Sequence, residues 1–331
     1  MSVSLTELPC DTANSAKKTA GNAGSSVAED NAERGIAKDN AVNSVVKNNA
    51  ESGIAKETAA RAGSNPQKHA SAGLTVLYSG SKGNAAVVCD GENAILIDAG
   101  RTERALCRAL NAAGVAPERL LAVFLTHEHT DHTAALNLLL SHYALPVYAP
   151  AASAEVLLRT AQPPLAAAIH PIPPFFSYHV GGFSISSFPT LHDSRGSVGY
   201  RISFGSEEST HTLGYATDLG TVTADVEKGL LGCECVVLES NYDEEMLTTG
   251  PYPPDLKRRI ASRHGHLSNT DCAAFAARLA EGGTKRFLLA HLSENNNLPE
   301  LALGEVGAAL AGFPAEVLAA DPVFPVEIPF L

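Results

Sequence analysis

Thr126-His127-Glu128-His129-Thr130-Asp131-His132 follows directly on the apolar run Leu120-Leu121-Ala122-Val123-Phe124-Leu125. Four potential metal ligands, His127, His129, Asp131 and His132, therefore stand at the mouth of a predicted strand. In extended backbone, residues two apart point the same way, so His127 and His129 are expected on one ion and Asp131 and His132 toward a second. Imidazole suits zinc, manganese and iron(II), and a neighbouring carboxylate favours a pair of cations. The alternative is a solvated polar loop. Three histidines and an aspartate at this spacing, straight after a buried-strand pattern, favour the metal site.

Later strand ends offer the remaining ligands. His192 follows Phe188-Pro189-Thr190-Leu191, Asp218 follows Gly214-Tyr215-Ala216-Thr217, and His291 follows Phe287-Leu288-Leu289-Ala290. Each lies just past an apolar run, so the ends can converge on one rim. Together with the heptapeptide they supply three protein ligands to each of two divalent cations, Zn2+ or Mn2+ with Fe2+ also accommodated, plus a shared carboxylate. Asp98 ends the run Ala94-Ile95-Leu96-Ile97 and is expected to orient a metal-bound histidine. Glu239 ends another run and is expected to hold His266.

The chain has 331 residues, 45% hydrophobic and 18% charged, with a net charge of -12. That suffices for one large α/β domain. It provides no global basic field for nucleic acid, so any such binding must come from local patches and metals. Cys10, Cys89, Cys107, Cys233, Cys235 and Cys272 lack metal-site or secreted-domain spacing and read as reduced thiols. No stretch approaches the roughly 20 apolar residues of a membrane helix, and the start carries no apolar signal core, so a soluble cytoplasmic protein without membrane association is expected.

Residues 1–72 contain no Phe, Tyr or Trp and are rich in Ala, Asn, Ser, Lys and Glu. They are expected to be a disordered low-complexity extension, with a partner-binding arm as the alternative. Within them Ala32-Glu33-Arg34-Gly35-Ile36-Ala37-Lys38 recurs as Ala50-Glu51-Ser52-Gly53-Ile54-Ala55-Lys56. Residues 73–331 form the expected hydrolase domain. Strands are predicted at Leu74–Tyr78, Ala85–Cys89, Ala94–Ile97, Leu120–Leu125, Phe183–Phe188, Gly199–Phe204, Thr212–Tyr215, Val236–Leu238, Phe287–Ala290 and Glu316–Leu318. Helices are predicted at Thr102–Ala113, His132–Tyr143, Ser153–Ala161, Thr223–Leu231, Pro254–Ser262, Ser268–Leu279 and Pro299–Leu310. Ser268 reads as a helix N-cap. Ser79-Gly80-Ser81-Lys82-Gly83-Asn84 lacks the Lys-Ser/Thr ending of a phosphate loop and leads into a strand, so it is read as a hairpin turn. Two mixed sheets covered by helices follow, in the α/β (α+β) class.

The chain resembles the metallo-β-lactamase superfamily, whose HxHxDH hallmark is matched by His127, His129, Asp131 and His132. Within it the chain is similar to the YycJ/WalJ group of hydrolases described as DNA exonucleases. The supporting stretches include Leu96-Ile97-Asp98-Ala99-Gly100, Glu239-Ser240-Asn241-Tyr242-Asp243, Tyr252-Pro253, Gly265-His266-Leu267-Ser268-Asn269 and Ala290-His291-Leu292-Ser293-Glu294-Asn295-Asn296. The resemblance covers residues 74 to about 300 and implies a four-layer αββα sandwich. It implies that Asp218 is a bridging carboxylate, which lactamases proper lack, and that His266 assists protonation of a leaving group. His264 is left in a supporting position at most. DNA becomes the expected substrate and 5′-to-3′ exonucleolytic phosphodiester hydrolysis the expected activity, with Asp131, Asp218 and His266 catalytic. Lys257 and Arg258, from the basic cluster Lys257-Arg258-Arg259, and Ser81 and Asn84 are expected to touch substrate. The alternative is a small-molecule hydrolase on the same fold, a glyoxalase II-like thioesterase or a cyclic-phosphate phosphodiesterase.

Overall fold

The computed structural model describes residues 71–205 and 209–330. The expected extension and its internal repeat therefore lie outside the described residues, except for positions 71 and 72. Ala72 already takes part in the domain, since its carbonyl accepts a hydrogen bond from the Phe330 N–H at 3.0 Å.

Among the described residues fourteen strands, numbered in chain order, form two seven-stranded sheets. The first contains β1 (Gly73–Tyr78), β2 (Ala85–Cys89), β3 (Ala94–Ile97), β4 (Leu120–Phe124), β5 (Val147–Pro150) and β6 (Ile169–Ile172). The second contains β7 (Ser177–Val180), β8 (Phe183–Thr190), β9 (Ser197–Gly205), β10 (Thr210–Ala216), β11 (Cys235–Glu239), β12 (Arg286–Ala290) and β13 (Glu316–Ala319). β14 (Val326–Pro329) returns to the first sheet and pairs antiparallel with β1.

Alternation along the strands sets the layers. In β3, Ile95 and Ile97 face the space between the sheets, where they join Phe124, Ile185, Tyr200, Val237 and Leu288. Ala94 and Leu96 face outward and pack with Leu106, Leu110, Leu136 and Leu139 from helices. In the second sheet Val236, Leu238, Phe287 and Leu289 face outward against Phe275, Leu279 and Val306. The result is an αββα sandwich. Both faces of the central strands are buried, which is why they read as unbroken apolar runs.

Strand direction explains where the chemistry collects. β3 and β4 are parallel, as are β10, β11 and β12. β8 is antiparallel to β9, which is antiparallel to β10, so β8 also runs with β10. The carboxyl ends of β8, β10, β11 and β12 therefore share one edge of their sheet, and those of β3 and β4 share one edge of theirs. Such edges are where open α/β sheets bind ligands.

Several expectations are corrected. The helix predicted over His132–Tyr143 is two pieces, Thr130–Thr133 and Leu136–His142. Strands β5, β6, β7 and β14 and the helices Pro163–Ala168 and Glu244–Thr249 were not anticipated. β6, β7 and β14 are four-residue strands at or near sheet edges, with Pro or exposed polar residues that mask periodicity. The turn after β1 is a hairpin connection to β2, as read. Ser268 caps the helix Asn269–Glu281 by accepting from the Asp271 N–H at 3.1 Å. Among the described residues no helix is long and apolar enough to cross a membrane.

Candidate active site

At the end of β4 the chain does not turn at once. The Thr126 N–H and Oγ1 both donate to Asp98, at 2.8 and 3.1 Å on Oδ1, and the Thr126 Oγ1 lies 2.9 Å from Oδ2. This anchors the first residue of the heptapeptide to the end of β3. Glu128 joins none of the ligand groups and ties the loop down, accepting from the Ser153 hydroxyl at 2.5 Å and the Arg195 N–H at 2.8 Å. Close backbone approach completes the cradle: the Asp131 carbonyl accepts from the Asn84 N–H at 2.8 Å, and the His132 carbonyl from the Ala99 N–H at 2.7 Å. A Cβ on Gly100 would stand 1.9 Å from the Asp131 carbonyl oxygen, which explains the glycine in Asp98-Ala99-Gly100.

Asp98, Asp218 and His291 have φ of 58°, 55° and 57°. Each stands at or just beyond the carboxyl end of a strand, in the left-handed region that Asp and His tolerate better than most side chains. Left-handed backbone at a non-glycine position costs about 1 kcal/mol or more, and three such positions in one site mark strain held by the surrounding packing.

Those backbones aim the side chains at one another. Donor atoms of His127, His129 and His192 lie within 4.8 Å of each other, as do those of Asp131, His132 and His291, while Asp218 groups with His127 and His132 and also with Glu239, His266 and His291. Asp218 Oδ2 is 3.3 Å from His132 Nε2, and its Oδ1 is 3.6 Å from both His192 Nε2 and His291 Nδ1. Asp131 Oδ2 is 3.4 Å from His132 Nε2 and 4.0 Å from His291 Nε2. Asp218 thus lies between the two histidine groups.

The imidazoles are oriented from behind. Nδ1 faces Asp98 Oδ2 in His132 at 2.8 Å, the Gly265 carbonyl in His192 at 3.1 Å, and Glu239 Oε1 in His291 at 2.8 Å. An Nδ1–H donated to each of these acceptors leaves Nε2 with its lone pair toward the centre. Three buried atoms there have no hydrogen-bond partner: His127 Nε2, His291 Nε2 and Asp218 Oδ2. Buried polar atoms are rarely left unsatisfied. Orphaned imidazole and carboxylate atoms converging on one space fit divalent cations, with His127, His129 and His192 able to hold one and Asp131, His132 and His291 a second.

The titration behaviour agrees with that charge distribution. Burial, then the neighbouring His132, holds His127 well below the ordinary histidine range, and burial likewise lowers His192. Both are ready as neutral ligands. Burial opposes a charge on His132, but Asp98 and Asp218 outweigh it and raise its pKa well above the usual value. Burial also opposes charge on His291, where Asp218 and Glu239 prevail and push the pKa up to about 9. Asp218 resists its own burial through His291, His132 and His127, and is held well below the ordinary carboxylate range. Without cations, protons on His132 and His291 supply the positive charge that the carboxylates demand.

His266 stands beside this group, its ring centroid 5.1 Å from His291 and 5.2 Å from His192. Its Nδ1 lies 2.8 Å from Glu239 Oε1, the same oxygen that faces His291. Glu239 is fully buried, and its other oxygen accepts from the Leu219 N–H at 2.8 Å and the Leu267 N–H at 3.4 Å. One carboxylate therefore positions both a candidate ligand and a candidate proton donor. His264 is exposed and joins none of these groups.

The expected substrate contacts divide. Ser81 lines the cleft beside His266 and His291. Asn84 does not: it is fully buried, with its amide nitrogen 3.1 Å from Asp131 Oδ2 and bonded to the Gly80 carbonyl, so it braces a candidate ligand instead. Lys257 donates to the Thr248 carbonyl at 2.7 Å and Arg258 pairs with Asp255, and neither lines the cleft. The member of the triplet that does is Arg259, paired with Asp193. Sequence reasoning passed over Asp193, chose Lys257 and Arg258 over Arg259 within the basic triplet, and gave Thr126 and Glu128 no role of their own. Their position beside or within the ligand motifs was the available signal, but their direction was set by tertiary structure.

The pattern described as Beta-lactamase superfamily domain matches residues 93–292. Exodeoxyribonuclease YycJ of Bacillus anthracis is 33% identical over 270 residues, spanning 78% of this chain and 98% of its own. Exodeoxyribonuclease WalJ of Streptococcus pneumoniae serotype 2 is 31% identical over 230 residues, spanning 69% and 84%. Among solved structures, the metallo-β-lactamase fold protein YhfI from Bacillus subtilis superposes with a TM-score of 0.58 at 23% identity, covering 77% of this chain and 98% of YhfI. The short form of human tRNase Z gives 0.54 at 18%, covering 78% and 99%. These two similarities are of fold.

Proposed function

Because this chain belongs to the metallo-β-lactamase superfamily and is a YycJ/WalJ-like metal-dependent hydrolase within it, we propose that it is a dinuclear phosphodiesterase acting on DNA as a 5′-to-3′ exonuclease. The observation that carries the reading is the set of orphaned buried atoms, His127 Nε2, His291 Nε2 and Asp218 Oδ2, facing one space beside His266. His127, His129 and His192 would hold one cation and Asp131, His132 and His291 the other, with Asp218 lying between the two groups. Divalent cations held there would supply a lowered pKa for water and neutralisation of phosphodiester charge.

The chain's own residues supply the rest. Asp98, the Gly265 carbonyl and Glu239 fix the imidazole tautomers, so no ring has to reorient when substrate arrives. Glu239 holds His266 through Nδ1, leaving Nε2 as the ring atom that gives a proton to the departing alkoxide. Zinc and manganese both suit the donor set. The YycJ and WalJ relatives, named exodeoxyribonucleases, support DNA as substrate.

The test is one panel on the purified protein loaded with zinc or manganese: 5′- and 3′-labelled DNA, RNA, bis-p-nitrophenyl phosphate and a thioester. Mononucleotide release from 5′ ends, lost on chelation, is expected. Turnover of the thioester alone would overturn the proposal in favour of a small-molecule hydrolase.

A further inference from the structure

The helix Pro254–Ile260 buries none of its residues, although it carries Leu256 and Ile260. Residues four apart share a helix face. Both side chains line the cleft beside His266 and His291, so this helix presents its apolar face to the cleft and not to the core. Tyr252 stands on the same wall, its hydroxyl accepting from the Asn295 amide at 2.8 Å. Arg259 is the only Lys or Arg among the described residues lining this cleft, and its side chain is 64% exposed while paired with Asp193.

An apolar wall with an aromatic edge and one guanidinium matches one kind of ligand: a flat ring attached to a single phosphate group. A multi-phosphate track would need cations in series along its length, and this wall has one. We propose that Tyr252, Leu256 and Ile260 form a nucleobase subsite, with Arg259 facing the phosphate of the same nucleotide. Arg259 exchanges its carboxylate partner for a phosphate oxygen, one charge-assisted hydrogen bond for another. The subsite rests on the phosphodiesterase reading and deepens it, because the centre then acts on the end of a strand whose terminal base is intact.

The experiment measures binding of thymidine 5′-monophosphate and of 2-deoxyribose 5-phosphate to the zinc-loaded full chain by isothermal titration calorimetry. The two probes carry the same phosphate and differ by the base. The parent is expected to bind the nucleotide roughly tenfold or more tightly than the sugar phosphate, the range of a base stacked on an aromatic side chain. Tyr252→Ala and Leu256→Ser each reduce that ratio, Tyr252→Phe retains it, and Arg259→Gln weakens both probes together. Equal affinity of the parent for the two probes, or an unchanged ratio in both Tyr252→Ala and Leu256→Ser, overturns the subsite. A base-dependent ratio in a protein that hydrolyses no DNA leaves the subsite standing and removes the nuclease reading, so the two failures are distinct.

Discussion

Glu239→Gln removes one charge and keeps the shape, and the structure sets the size of the effect. The carboxylate accepts from four groups: the ring nitrogens of His266 and His291 on Oε1, both at 2.8 Å, and the Leu219 and Leu267 N–H groups on Oε2, at 2.8 and 3.4 Å. All four are donors when the Nε2 atoms are reserved for chemistry. An amide has one accepting end, so in either orientation its NH2 group meets N–H donors and at least one buried donor loses its partner. Each such loss costs about 1–3 kcal/mol. If the amide oxygen stays with Leu219 and Leu267, His291 loses the acceptor that fixes its tautomer, and cation affinity should fall roughly 10- to 100-fold. His266 loses its anchor as well, and misplacing a general acid costs on the order of 10²-fold in kcat. The assay pairs hydrolysis of a 5′-labelled oligonucleotide at saturating zinc with a zinc titration and a thermal melt. A fall in kcat that persists at saturating zinc is expected, alongside weaker zinc binding. Parental kcat, zinc affinity and Tm together would refute the shared-carboxylate reasoning.

Further perturbations separate the other parts of the site. Asp218→Asn keeps a side chain that tolerates φ of 55° but removes the charge between the two histidine groups; activity at fixed zinc should drop by more than roughly 100-fold, the upper end for groups that merely orient ligands. Gly100→Ala drives a methyl group into the Asp131 carbonyl, so chemical denaturation should show a loss of ~2 kcal/mol or more together with reduced zinc loading. In the cation-free protein, the His291 pKa of about 9 lies above its unfolded value, so its contribution to stability, on the order of 3 kcal/mol, is complete below about pH 6.5 and lost as pH rises through 9. Chelator-treated protein should therefore become less stable across that window, and His291→Gln should flatten the trend. Zinc binding displaces the same proton, so apparent zinc affinity should instead rise with pH up to about 9.

The candidate ligands could be picked out because each follows an apolar run that can be seen in the chain. The apolar runs before Thr126, Asp218 and His291 are buried on both faces, and such strands display themselves as continuous hydrophobic segments. What surrounds those ligands was less visible. Asn84 looks like a loop residue suited to substrate, yet the hairpin carries it beneath Asp131, where its amide is fully buried. In Lys257-Arg258-Arg259 the three cations are equivalent in sequence. Thr248 and Asp255 engage the first two, and helix rotation places the third on the cleft. The double role of Glu239 was equally hidden, because it depends on β11 lying beside β12 and on the loop holding His266 returning to the same edge. Strands such as Ser177–Val180 and Val326–Pro329 were missed because their pairing partners define them and their own periodicity does not.

Whether two cations work together on a phosphodiester is decided by a zinc titration of chelated protein, read as mononucleotide release from 5′-labelled DNA. Little release is expected with the first equivalent of zinc, and a rise to a plateau as the second is filled. Full release at one equivalent, or release that persists with chelator present, would contradict a joint role for two cations.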